Sequence, residues 1–345
     1  MAATEGNGVA VRLADVAREA GVSPATASRV LNGSSRKPAE EIADRVRVAA
    51  QRLGYFPNAQ AQALARNTAG LVGLIVHDIA DPYFSSIARG VQQGLGENGV
   101  QLLLNSTGRD PQRELAAVRA FMSHRTDAIL LAGSRSQQED HELMEALRRY
   151  QDNGGRVAMI GQPLPAAGGV QLDNAGAAAA LADELLKLGH RRFAVLAGDQ
   201  SLATARDRVE GFVGKLRDAG VEPVAVREGA FTRDGGYHTA GDLVRDGLLE
   251  AGRQTCVFCA NDVMALGTMT AVRERGLRLP DDVAVAGFDD IPTLGDMFPS
   301  VTTVRIPLEE IGRMAGEMVM EDGDARRLVV SGHPVLREST RPVGA

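Results

Sequence analysis

Apolar positions at the start of the chain recur with a helical period. Leu13, Val16, Ala17 and Ala20 line one face of a first helix, which Gly21 ends. Ser23 is an N-cap residue type and Pro24 suits the first helical position, where a missing N–H costs nothing, so a second helix begins at Pro24. Ala27, Val30 and Leu31 form its buried stripe, while Ala25, Ser28, Arg29 and Asn32 fall on an opposite face of short polar groups. Ile42, Val46, Ala49 and Leu53 mark a third helix that ends near Gly54, where Tyr55-Phe56-Pro57 stops it. Two short helices joined by a Gly-containing turn make a helix-turn-helix, and the second can lie in a groove of DNA. An ordinary three-helix packing element is the plainer reading of the same pattern. The stretch 58–66, rich in Ala and Gln, predicts a helix too short to be stable alone, a linker that forms only against something else.

From Leu71 the period changes. Apolar strands at 71–76, 100–104, 128–132 and 157–160 alternate with helical stretches at 84–98, 112–123 and 139–150. A break of Pro, Gly and Ala falls at 162–169. The alternation then resumes through 175–188, 193–197, 206–219, 236–245, 256–260, 263–275 and 283–288. This is the pattern of a doubly wound parallel sheet, in two halves that predict two lobes with a cleft between them.

A length of 345 residues suits two or three domains. The net charge of −6 is unevenly spread: residues 1–68 hold nine Lys/Arg against six Asp/Glu, and the rest of the chain 29 against 38. A basic head on an acidic body is what phosphate contact by one end requires. Trp is absent and aromatics are few, which argues against stacking platforms for single-stranded nucleic acid. Cys256 and Cys259 are the only cysteines, so no disulfide framework holds the fold. Residues 1–9 lack a basic region followed by an apolar one, and no apolar run reaches membrane-spanning length, so the expected location is cytoplasmic, with no membrane partner.

In open α/β sheets ligands bind beyond the carboxyl ends of the strands. That rule selects His77, Asp78 and Asp81-Pro82-Tyr83-Phe84 after the first strand, and Ser134 and Arg135 after the strand at 128–132. It also selects Asn261 and Asp262, Asp289 and Asp290, and Arg208 at the start of a helix. Carboxylates, an Asn amide and Arg donors can pair with adjoining sugar hydroxyls while an aromatic face covers a C–H patch. Asp and Asn also cap helices; capping is assigned to Asp78 and Asp262, and ligand binding to Arg208 and Asp289.

Taken together, these stretches resemble the lactose/galactose repressor (LacI/GalR) family of bacterial transcription regulators. The likeness rests on 13–17 and 23–32 in the head, Tyr55-Phe56-Pro57-Asn58 with Ala61 and Leu64 in the linker, and five ordered stretches in the body. These are Asp81-Pro82-Tyr83-Phe84, Leu188-Gly189-His190-Arg191, 208–212, 261–267 and Gly287-Phe288-Asp289-Asp290. The resemblance implies an N-terminal all-α helix-turn-helix domain (1–57), a hinge helix (58–69) and an α/β two-lobed sensor like periplasmic binding proteins (70–345). Lobe 1 would span about 70–161 and 303–330 and lobe 2 about 162–302 and 331–345, with crossings near 161–163, 302–306 and 328–332. It further implies a homodimer on a pseudo-palindromic double-stranded operator, with no terminal heptad to support a tetramer. Arg29 would contact bases, and Pro24 and Ala25 sit where the family varies its base contacts. Thr26, Ser28, Asn32 and Tyr55 would hold phosphates, and Asn58, Ala61 and Leu64 would serve the minor groove, with Leu64 as a wedge. Arg208, Asn261 and Asp289 would contact a sugar-like effector, Phe231 and Tyr83 or Phe84 would pack on its ring, and His77 and Arg135 are weaker candidates. The function expected is a repressor of carbohydrate-metabolism genes. Gln62 departs from an Arg common in the family, and Ile306 replaces a polar contact of some sugar-responsive members.

Two other readings fit parts of the chain. A transport-type solute-binding protein would explain the sensor but neither the basic head nor the absent signal peptide. An enzyme would need a catalytic constellation, and Asp289-Asp290 has no accompanying nucleophile or base. Cys256-Val257-Phe258-Cys259 has the spacing of a redox or zinc half-site, yet lies in an apolar strand with no second pair nearby, so core packing is expected. No cofactor, metal or catalytic residue is assigned.

Overall fold

The computed structural model describes residues 11–32, 38–56, 69–96, 99–135, 141–162, 167–321 and 326–343. The chain divides into two compact units, Met1–Gly70 and Leu71–Ala345.

In the first unit, α1 (Leu13–Glu19), α2 (Pro24–Asn32) and α3 (Glu40–Leu53) follow the predicted helices closely. Gly21 turns the chain with φ +65°, a conformation favouring a residue without Cβ. Ser23 Oγ then accepts the Thr26 amide at 3.1 Å and caps α2. Val16, Ala17, Ala27, Val46 and Ala49 are buried, with Val30, Leu31 and Tyr55 packed at the edge of this small core. The expected hinge helix, with Asn58, Ala61 and Leu64, lies outside the described residues.

The second unit holds two parallel sheets. The first comprises β1 (Leu71–Val76), β2 (Gln101–Ser106), β3 (Ala128–Gly133), β4 (Arg156–Gly161), β5 (Gly168–Asp173) and β11 (Arg327–Ser331). Their order is β11-β5-β4-β3-β1-β2. Helices α4 (Pro82–Gly94) and α11 (Leu308–Met320) pack together on one side. Helices α5 (Pro111–Ser123) and α6 (His141–Asp152) pack together as a second pair. Strand alternation explains the sandwich: Val72, Leu74 and Val76 join the cluster of α4 and α11, while Ile75 joins Leu115, Val118 and Leu143.

The second sheet has the order β7-β6-β8-β9, with β6 (Phe193–Gly198), β7 (Ala225–Glu228), β8 (Thr255–Cys259) and β9 (Val283–Ala286). Helices α7 (Asn174–Lys187) and α8 (Ala203–Asp218) pair with each other, as do α9 (Arg233–Arg245) and α10 (Asp262–Glu274). Short strands β10 (Thr303–Arg305) and β12 (His333–Val335) form an antiparallel pair where the chain passes between lobes. One apolar cluster runs through both lobes and includes Leu172, Phe288, Val304 and Ile306 of the connecting segments.

The first crossing departs from expectation. β5 still pairs with β4 and β11 in the first sheet, so the chain leaves lobe 1 after Asp173, not near 161–163. Strand β5 is hidden in a Gly-rich break because Gly169 packs so closely on Met159 that a Cβ would overlap its backbone. Among the described residues no helix is long and apolar enough to cross a membrane.

Candidate functional site

The most constrained charge in the second unit is Arg208, on the first turns of α8 and 1% exposed. Its Nε donates to Asn174 Oδ1 at 2.9 Å, Nη1 to the Ala260 carbonyl at 2.8 Å and Nη2 to Asp289 Oδ1 at 2.7 Å. The guanidinium also lies 3.8 Å over the Phe288 ring. A guanidinium carries five donors, so this network leaves two N–H groups of a buried cation for a ligand.

Asp289 sits just beyond β9 with φ +120°, a strained backbone for a residue bearing Cβ. Its amide donates to the Val304 carbonyl at 2.9 Å, which ties the site to the second crossing. Burial pushes its carboxyl up to about 6, and Arg208 opposes that rise. Asp290 turns the other way, to Arg305 Nε at 2.6 Å and Arg337 Nη2 at 2.7 Å. The two adjacent carboxylates therefore serve different partners and form no acid/base pair.

Two capping assignments are corrected. Asn261, not Asp262, caps α10, its Oδ1 accepting the Met264 amide at 2.9 Å. Asp262 is fully buried instead, accepting from Thr303 Oγ1 at 2.6 Å and the Ile291 amide at 2.9 Å. At the start of α4 the cap is Asp81, accepting from the Tyr83 amide at 3.0 Å, while Asp78 makes a local turn with the Ala80 amide at 2.9 Å. The Asn261 amide nitrogen donates to the Phe231 carbonyl at 3.5 Å.

Lobe 1 contributes from the loops after β1, β2 and β3. His77 is buried against Phe84, ring centroids 5.6 Å apart, and its Nε2 donates to the Ser134 carbonyl at 2.9 Å. Burial, helped by Arg109, lowers its pKa to about 3, so the imidazole is neutral. Tyr83 packs edge-on to Phe84 at 4.9 Å, and its phenol is raised by burial and then by Asp289 of lobe 2. Phe84 itself is a core side chain. Arg135 is engaged: it pairs with Glu114, and its amide donates to Gln162 Oε1 at 2.7 Å, so it serves the frame of lobe 1.

The lobes meet directly. Ser134 Oγ accepts the Thr204 amide at 3.1 Å, and the Arg135 carbonyl accepts the Ala203 amide at 3.4 Å. Arg109 places its guanidinium 5.5 Å over the ring of Phe231, a lobe 2 residue. Contacts and electrostatic interactions across the lobe boundary thus link Arg208, Asn261, Asp289 and Phe231 of lobe 2 with Tyr83, His77 and Arg109 of lobe 1. Sequence reading missed Arg109 because it ended the second strand at Leu104; β2 runs to Ser106, and the strand-end rule then reaches the loop bearing Arg109. Asn174 was likewise unseen, since its contact with Arg208 spans 34 residues.

On the head, Pro24, Ala25 and Arg29 are exposed on α2, and Arg29 makes no ion pair among the described residues. Thr26 and Ser28 are half-buried, with Thr26 Oγ1 2.9 Å from Ser23 Oγ. Tyr55 packs on the head core, and Asn32 ends α2. Cys256 and Cys259 are buried on opposite faces of β8, in different clusters, as core packing requires. Among the described residues no group of acidic, His or Cys side chains could hold a metal ion.

Comparison with known proteins matches residues 12–58 to the family of bacterial regulatory proteins of lacI type and residues 182–340 to a periplasmic binding protein-like domain. The chain is 32% identical over 317 residues to the transcriptional regulator GalR of Escherichia coli K12, covering 91% of this chain and 90% of that one. It is 33% identical over 330 residues to the transcriptional repressor PurR of Vibrio atlanticus, covering 94% and 96%. Among solved structures, a complex of the regulator CelR with cellobiose aligns with a TM-score of 0.68 at 30% identity, covering 95% and 99%. A Lac repressor dimer bound to operator and an anti-inducer aligns with a TM-score of 0.83 over 96% and 100% of the two chains, and its 24% identity speaks for the fold. The relatives are transcription regulators and not enzymes. The chain belongs to the LacI family of bacterial regulatory proteins: a helix-turn-helix head joined to a periplasmic-binding-protein-like sensor.

Proposed function

We propose that the protein is a repressor of carbohydrate-metabolism genes that binds a pseudo-palindromic operator as a homodimer and whose affinity for DNA is set by a small sugar or sugar derivative in the cleft. The observation that carries this reading is the buried Arg208–Asp289 pair, with spare guanidinium donors and a strained carboxylate backbone at a lobe boundary. Strain of this kind clusters where a ligand is gripped. Two charges buried at a structural site would instead be fully consumed by their partners. The sugar bound by CelR and the operator-bound Lac repressor dimer support the same class of ligand and assembly.

In this reading Arg29 contacts bases, Pro24 and Ala25 tune them, and Thr26, Ser28, Asn32 and Tyr55 set register on phosphates. Asn58 and Ala61 follow the minor groove, and Leu64 wedges into it. The effector changes the angle between lobes and so the spacing of the hinge helices, which it can do only by binding the two states unequally.

The test begins with a thermal-shift screen of sugars, sugar phosphates and nucleobases, since an effector stabilises the sensor by mass action. Gel-shift titrations then follow each hit. Asp289→Asn, which keeps a hydrogen bond to Arg208, should bind operator normally and no longer respond to the hit; a normal response would remove Asp289 from the pocket. Leu64→Ala should weaken operator binding at least about tenfold, roughly 1.4 kcal/mol, because the contacts that offset the cost of unstacking the base step are lost. Unchanged binding would sink the hinge assignment.

A further inference from the structure

The two aspartates after β9 act on one residue of the second crossing. Asp289 gives its carboxylate to Arg208, while its main chain brackets Arg305 of β10. Its amide donates to the Val304 carbonyl at 2.9 Å, and its carbonyl accepts the Ile306 amide at 3.4 Å. Asp290 holds the side chain of the same Arg305, whose Nε donates to Oδ2 at 2.6 Å. Its other oxygen, Oδ1, pairs with Arg337 Nη2 at 2.7 Å. Strands β10 and β12 run antiparallel, with Arg305 opposite His333 and Thr303 opposite Val335. Arg305 therefore stands at the lobe 1 end of the second crossing, and Arg337 follows β12 on the lobe 2 side of the third. One carboxylate grips both crossings, at opposite ends.

The two arms of this grip differ. The Asp290 side chain is 7% exposed, and φ +57° places its backbone in a left-handed conformation that Asp tolerates better than most residues. Its amide donates to Thr303 Oγ1 at 3.3 Å. Arg337 is fixed in turn, its Nη1 donating to the Val301 carbonyl and its amide to Thr302 Oγ1, both at 2.8 Å. This arm anchors Asp290 at the lobe 2 end of the second crossing. The Arg305 side chain is half-exposed and belongs to the segment that leads on to α11 of lobe 1. A change of lobe angle acts on that second arm.

We propose that Asp290 is a positioning residue of the sensor, which pins the second and third crossings together, holds the lobes at their closed setting and passes a displacement at Asp289 to that setting through Arg305. The proposal rests on the reading that the lobe angle carries the response, and it is independent of what the effector is.

The test uses the full chain with nothing added and reads hydrogen exchange at single amides. Those of Ala203 and Thr204, which donate to lobe 1 across the boundary, report opening of the lobes, and those of β8 report unfolding of the whole sensor. Asp290→Asn keeps the size and the left-handed backbone and removes the charge; Arg305→Met keeps the aliphatic stem. Each should speed exchange at Ala203 and Thr204 about 2- to 5-fold relative to β8, the worth of a half-exposed ion pair. The double variant should exchange no faster than the faster single one, because both changes cut one link. Ser134→Ala, which removes a cross-lobe contact away from the crossings, is the control. If the control speeds these amides while Asp290→Asn and Arg305→Met leave them unchanged, the proposal is overturned and lobe motion stands. Rates that multiply in the double variant, or that rise equally at β8, would overturn it too, since Asp290 would then act on local or overall stability alone. If none of the variants, the control included, moved these amides, the lobe-angle reading would fall and this proposal with it.

Discussion

Single side chains in the sensor show how far burial can bend ordinary ionisation. Among the described residues Asp262 has no ion-pair partner; its carboxyl accepts from Thr303 and Ile291 and is pushed up to about 8 by burial, with Asp289 adding to the rise. Burial thus favours the neutral acid, against the two hydrogen bonds by which the group holds the loop after β9 to the second crossing. A carboxyl raised on folding contributes stability fully present below its unfolded pKa of about 4 and lost as pH rises through about 8. We expect the melting temperature of the wild type to fall between pH 7 and pH 9 more steeply than that of Asp262→Asn, which mimics the protonated acid. Melts in matched buffers check this, and parallel slopes would show that Asp262 is ionised throughout. Asp289 differs because Arg208 compensates it, and Asp289→Ala would leave a buried guanidinium unpaired.

At the scale of elements, glycine decides how α4 meets α11. A Cβ on Gly90 would overlap the Glu309 carbonyl, and one on Gly312 the Ile87 carbonyl, so the two backbones are in contact. Helix α4 carries Tyr83 and Phe84 at its start, and α11 follows the second crossing, so this contact fixes the aromatic wall relative to the hinge. Gly312→Ala should destabilise the sensor by about 1–3 kcal/mol through overpacking. Gly214→Ala, on α8 where a Cβ meets nothing within 4 Å, should stabilise it by roughly 0.4–1 kcal/mol through lost unfolded-state freedom. Urea unfolding monitored on both variants decides the matter, and shifts of the same sign would contradict the packing argument. Sequence legibility divides along similar lines. The head helices are legible because each buries a periodic apolar face, β1, β3 and β4 because each is a nearly continuous buried apolar run, and the edge strand β2 through its apolar Leu102, Leu103 and Leu104. Strand β5 is not, since Gly168 and Gly169 remove the side chains that would show a pattern, and β7 is mostly exposed at a sheet edge. The candidate cleft is legible where a ligand group follows a strand directly, as at His77 and Asp289. Asn174 owes its place to a contact with Arg208 that spans 34 residues and leaves no local pattern, while Arg109 is hidden because the polar end of β2, Asn105-Ser106, does not show where the strand stops.

At the scale of the whole sensor, the lobes are joined by more than their three crossings. Helix α8 begins after Leu202, whose side chain cannot cap, so its first amides lack a local partner. Lobe 1 supplies them: Ser134 Oγ takes the Thr204 amide and the Arg135 carbonyl the Ala203 amide. Because α8 also carries Arg208, the segment that caps the helix across the cleft borders the strand-end loop that holds His77. Opening the lobes exchanges these contacts for water, a modest change suited to an equilibrium that a ligand can bias. Removing a capping hydroxyl costs about 0.5–2 kcal/mol. Ser134→Ala should therefore shift the sensor towards the open form without unfolding it. The expected signature is faster hydrogen exchange at the Ala203 and Thr204 amides and a larger radius of gyration in solution scattering, with an unchanged melting profile for the head. Exchange at those two amides equal to that of the wild type would mean that the Ser134 cap does not hold the lobes together.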